Sequence, residues 1–129
     1  MITRTKERIR QTGEVFTPPQ LTNEMLDQLP PEMWEPDRTF LEPAAGDGNM
    51  LIEILKRKLS YGHTPVQALN TIYGIDLMED NVQHARERML EIAGDTPEHR
   101  RIVNLNIQQG DALSFDWKIF EKDGPLLEF

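Results

Sequence analysis

Three acids and one glycine turn carry the chemistry legible in this chain. Glu42, Asp76 and Asp111 each follow a short apolar run, and Glu42 leads into Pro43-Ala44-Ala45-Gly46-Asp47-Gly48-Asn49. The small residues of that turn let the backbone bend tightly and come close to a ligand. In an open parallel sheet a ligand sits beyond the carboxyl ends of the strands. An acid ending the second strand suits a ribose diol there, because one carboxylate can accept from both hydroxyls. An adenosine-bearing cofactor is therefore implied. Leu51 stands where the third glycine of a G-x-G-x-x-G turn belongs, which argues against a dinucleotide. Glu42 and Asp47 place negative charge beside the turn, poor company for a pyrophosphate and acceptable company for an amino group and a sulfonium. S-adenosyl-L-methionine fits that environment better.

The elements that must hold these residues follow from periodicity and punctuation. Leu21, Met25, Leu26 and Leu29 fall at helical spacing over residues 20–29, after Pro18-Pro19 and before Pro30-Pro31, with Thr17 placed to cap that helix. A loop follows, in which Trp34 is expected to lie as a lid over the edge of the core. A strand over residues 39–42, the glycine turn and a helix from Asn49 to about Leu59 come next, with Asp47 and Asn49 as candidate caps. Thr64-Pro65 opens a short helix to about Asn70. Thr71 to Asp76 reads as a buried strand. A second long helix runs from Glu79 to Ala93, with Val82, Ala85, Met89 and Ile92 on one face and Gly94 closing it. Thr96-Pro97 opens a helix ending near Asn106, and Ile107 to Asp111 reads as a third strand. Alternating strands and helices specify an α/β fold: a minimal parallel sheet of three or four strands with flanking helices, the tail offering a final strand.

At 129 residues the chain fits one domain, residues 1–129, with residues 1–12 as a basic arm. Hydrophobic residues make up 38% and charged residues 28%, as in soluble globular proteins. No apolar run approaches the roughly 18 residues that span a bilayer, so no membrane is expected. Without cysteine there is neither a disulfide framework nor a thiolate metal site, which reads as cytoplasmic. His63, His84 and His99 lack ligand spacing and are expected at the surface or as caps; no metal is expected. The net charge of −8 argues against gripping a phosphate backbone with the chain alone. Arg4, Lys6, Arg8 and Arg10 against Glu7 make the arm basic, and it could reach nucleic acid or an acidic partner.

Four stretches resemble, in order and spacing, the opening motifs of the S-adenosylmethionine-dependent DNA methyltransferases that modify the adenine amino group, of the restriction-modification type whose cofactor motifs come first. They are Gly13-Glu14-Val15-Phe16-Thr17-Pro18, Leu41-Glu42-Pro43-Ala44-Ala45-Gly46-Asp47-Gly48, Tyr73-Gly74-Ile75-Asp76 and Gln109-Gly110-Asp111-Ala112-Leu113. The resemblance implies a Rossmann-like class I methyltransferase core. It also implies roles by position. Thr17 would meet the cofactor's carboxylate, and Glu42, Ala44 and Gly46 would line its methionine half. Asp76 would hold the ribose hydroxyls, with Leu77 against the adenine. Asp111 would accept from the adenine amino group, and Ala112 and Leu113 would close the ring's other side.

In that family an Asn-Pro-Pro-Tyr type tetrapeptide accepts from the flipped base's amino group and stacks on its ring. No such tetrapeptide occurs here. The resemblance thus implies cofactor binding and supplies no catalytic residue. Two functions fit: a minimal methyltransferase or split-enzyme subunit, and a catalytically silent module that senses or sequesters the cofactor or modulates a modification enzyme. A sheet this small would leave unpaired edges, so a homodimer or a partner chain is expected.

Overall fold

Three short strands form one parallel sheet in the order β1-β2-β3: β1 Phe40–Glu42, β2 Ile72–Asp76 and β3 Ile107–Gln109. A computed structural model of the chain describes residues 18–120. Leu41 pairs with Tyr73 and Gly74 with Ile107, so all three strands deliver their carboxyl ends to one rim. Helix α1, Pro19–Asp27, precedes a single 3₁₀ turn at Pro31–Trp34. Helices α2 (Asn49–Ser60) and α3 (Pro65–Asn70) connect β1 to β2; α4 (Glu79–Ala93) and α5 (Pro97–Asn106) connect β2 to β3. Alternation and parallel pairing are as the sequence indicates. Among the described residues the sheet has three strands; Thr17, the basic arm and the last nine residues lie outside them.

Local chemistry sets the boundaries. Pro65 and Pro97 occupy the first helical position, where the missing N–H costs nothing. Thr64 and Gln67 complete a capping box at α3, and Thr96 accepts from the His99 amide at α5. β3 stops at Gln109, two residues before the expected acid; the Gly110 N–H still donates to the Asp76 carbonyl at 2.9 Å, and the chain then turns at Asp111, whose carbonyl accepts from Ser114 N.

The strands alternate faces. Ile72 and Ile107 join the main core with Leu51, Leu55, Val82 and Met89, while Tyr73 and Ile75 pack on Phe120 with Phe115 and Trp117 around them. Trp34 is buried between Phe40 and Tyr61, stacked on both, so it is a core residue as well as a cover. His63, expected at the surface or as a cap, is buried instead, its Nε2 2.6 Å from the Trp34 carbonyl. His99 does cap, with Nδ1 2.8 Å from the Gly94 carbonyl at the end of α4.

Lys58 continues the apolar spacing of Leu51 and Leu55 and is fully buried. Its Nζ donates to the Arg38 carbonyl and to Thr71 Oγ1, each at 2.8 Å, and lies 4.8 Å from the centre of the Phe40 ring. Burial lowers its pKa to about 8, against the opposing charge of Asp37. A lysine lowered in the folded state releases its proton first there, so the folded state gains as pH rises from about 8 towards the ordinary lysine range. Wild type should therefore gain on Lys58→Met across that window, at a slope of about 1 kcal/mol per pH unit. Urea unfolding of both proteins at three alkaline pH values reads the difference, and parallel pH profiles would contradict it.

Candidate functional site

The rim of the sheet gathers the acids around the end of β2. Asp76 Oδ1 accepts the Gly46 N–H at 3.0 Å, which draws the β1–α2 turn across β2. On the other side its own carbonyl accepts from Gly110 N, and Gln109 Nε2 donates to the Leu77 carbonyl at 3.1 Å. Asp76 thus sits between the glycine turn and the exit of β3.

The turn has the dihedrals that only glycine adopts readily: φ is +58° at Gly46 and +93° at Gly48. It is pinned at Ala45, whose N–H donates to the Ile75 carbonyl, and Gly48 N donates to the Ala45 carbonyl. Gly48 itself is the N-cap of α2, without a side-chain cap. The sequence nominates Asp47 and Asn49 as caps, and the structure corrects both. Asp47 is fully buried and turns inward, 3.4 Å from Arg88 Nη1, and Asn49 Oδ1 accepts from the same Nη1 at 2.8 Å. A buried carboxylate beside a guanidinium gains more from that charge than from capping a partly solvated helix end.

Glu42 is half-buried at the end of β1. Burial raises its pKa, and the Ala44 N–H, which donates to its Oε1 at 3.0 Å, opposes the rise. Ala44 is exposed beside it. Asp76, only 9% exposed, is already engaged by this chain: besides Gly46, Oδ2 accepts from Met78 N at 3.0 Å and from Asn81 Nδ2 at 2.8 Å. Past the strand ends Leu77 is 52% exposed and Leu113 97% exposed. Ala112 is half-buried against the aromatic cluster under the sheet. Asp111 is exposed, and its Oδ1 accepts from Leu113 N at 3.0 Å. Glu42, Gly46, Asp76 and Asp111 therefore share one rim, and Thr17 lies outside the described residues.

Two residues at this site escape a reading of the sequence, Asn81 and Arg88. Both flank the apolar stripe of α4 and look like its solvated margin. The available signal was their seven-residue spacing around Ala85, which places all three on one face. Among the described residues no group of acids and histidines is arranged to hold a metal, and no helix is long and apolar enough to cross a membrane.

The family model for N-6 DNA methylases matches residues 1–122. The type II methyltransferase M.VspI of Vibrio sp. (strain 343) is 33% identical over 110 residues, 85% of this chain and 23% of that protein. The chain thus spans about a quarter of the length of that curated relative. No solved structure matches this chain. The glycine turn, the acid ending β2 and the Gly110-Asp111 exit lie inside the matched span, and the chain belongs to the N-6 DNA methylase family.

Proposed function

We propose that this chain is the cofactor-holding part of an adenine-modifying DNA methyltransferase, binding S-adenosyl-L-methionine along the rim formed by β1, β2 and β3. The observation that carries the reading is the position of Asp76, tied to Gly46 on one side and to Gly110 on the other, within a chain of this family. A nucleoside laid over the end of β2 would meet that acid with the glycine turn at one end and Asp111 at the other.

The residues suit the group. A carboxylate offers about four acceptor sites, and Asp76 uses three on Gly46, Met78 and Asn81, which leaves one for a ribose hydroxyl. Leu77 and Leu113 offer exposed apolar surface for the adenine faces, and Ala112 lies between the aromatic cluster and the rim. Asp111 can accept from the adenine amino group. Glu42, Ala44 and Gly46 line the space for the methionine portion, where a carboxylate faces the amino group, and Thr17 is assigned to the cofactor's carboxylate. When bound, the cofactor supplies the methyl group; this chain holds and orients it, with proximity as its main contribution.

The acceptor in this reading is an adenine amino group in DNA. β1 pairs only with β2 among the described residues, and its other edge suits a second chain; a homodimer would scatter light at twice the chain mass.

Calorimetry with S-adenosylmethionine and with its demethylated product tests the reading. Wild type should bind both, and Asp111→Ala should weaken binding by about 1 to 3 kcal/mol by removing an acceptor. No heat with either ligand would overturn it.

A further inference from the structure

We propose that one face of α4 splints the glycine turn, with Asn81 and Arg88 as its positioning residues. The proposal deepens the cofactor reading and rests on it. Asn81, Ala85 and Arg88 stand four and three residues apart and so share a face, over two turns of helix. At the first, the buried Asn81 donates from Nδ2 to Asp76 Oδ2 at 2.8 Å, while Asp76 Oδ1 takes the Gly46 N–H. At the second, the Ala85 methyl fills the space beside Gly48, where an added Cβ would stand 2.9 Å from it. At the third, Arg88 Nη1 donates to the Asp47 carbonyl at 3.0 Å and to Asn49 Oδ1 at 2.8 Å.

Every residue from Gly46 to Asn49 is thereby held from α4, one of them through Asp76. The need for such a device follows from the turn's own composition. Two glycines with positive φ give it the backbone it needs and also the greatest freedom to leave it. A ligand binding a loose turn would have to order it, at the expense of affinity. Hydrogen bonds from a rigid helix supply the order in advance and set the direction of the Asp76 carboxylate, which packing alone would not.

Asn81→Leu removes the donor while keeping the number and branching of side-chain heavy atoms, and Arg88→Lys keeps a positive charge near Asp47 on a shorter side chain that falls short of the place from which Nη1 reaches both acceptors. Amide hydrogen exchange of the ligand-free protein and calorimetry with S-adenosylmethionine would be read together. Each variant should speed exchange at the Gly46 and Gly48 amides, leave the rest of α2 and α4 as in wild type, and bind the cofactor about ten- to a hundredfold more weakly. Exchange at those two amides unchanged, or raised evenly along both helices, would overturn the splint in favour of ordinary packing. Local loosening with wild-type affinity would also overturn it. Should wild type itself take up no cofactor, the reading of the rim fails, and the exchange measurements alone decide whether α4 holds the turn.

Discussion

Arg88→Met should destabilise the fold by about 3 kcal/mol, at the lower end of the range for breaking a buried ion pair, because the arginine is one-quarter exposed. Asp47 sets the size of the effect. Its carboxylate is fully buried, and among the described residues it accepts no hydrogen bond. The guanidinium 3.4 Å away is its counter-charge. Methionine keeps much of the length and apolar bulk of arginine, so packing along α4 is largely preserved while the charge and two hydrogen bonds disappear. A negative charge without compensation would then sit beneath the glycine turn. Adding Asp47→Asn should recover part of the loss, giving a coupling above about 1 kcal/mol in a double-mutant cycle followed by urea unfolding. A single-variant loss under about 0.5 kcal/mol would mean that Asp47 does not depend on Arg88.

The same pair shows where reading the sequence stops. The strands, the helices and their order were legible because each rests on local signals: the Thr64-Pro65 and Thr96-Pro97 starts, the apolar period of α4, and the Gly94 stop. The shared rim followed from parallel topology, which places Glu42, Asp76 and the Gly110-Asp111 exit at one end of the sheet. Asp47 was misread because capping is judged from neighbours in sequence, whereas its actual partner lies 41 residues on, in another helix. Lys58 and His63 were hidden for a related reason. A buried polar side chain is stable only with partners that tertiary structure brings to it, here the Arg38 and Trp34 carbonyls across the α2–α3 corner. The sequence offers Asp76 to both ribose hydroxyls, and only the fold shows that Gly46, Met78 and Asn81 already occupy most of its acceptor sites.

Gly48→Ala should be the second large effect, and its two causes can be separated. An alanine at φ +93° costs about 1 to 2 kcal/mol in backbone strain. Its methyl would also stand 2.9 Å from Ala85 Cβ and 3.1 Å from Ala85 Cα, a clash with the body of α4 that a flexible side chain could relieve and a helix backbone cannot. Overpacking of that kind adds about 1 to 3 kcal/mol. Ala85→Gly opens the space and by itself costs about 1 kcal/mol of helix propensity. Introduced into the Ala85→Gly background, Gly48→Ala should therefore cost less than in wild type by the part of the packing contribution that the 2.9 Å contact supplies, while the strain and the 3.1 Å contact with the Cα at position 85 remain. Chemical denaturation of the four proteins of this cycle measures that difference. Equal costs in the two backgrounds would show that α4 gives way to the added methyl, and that the glycine at this position serves the dihedral alone.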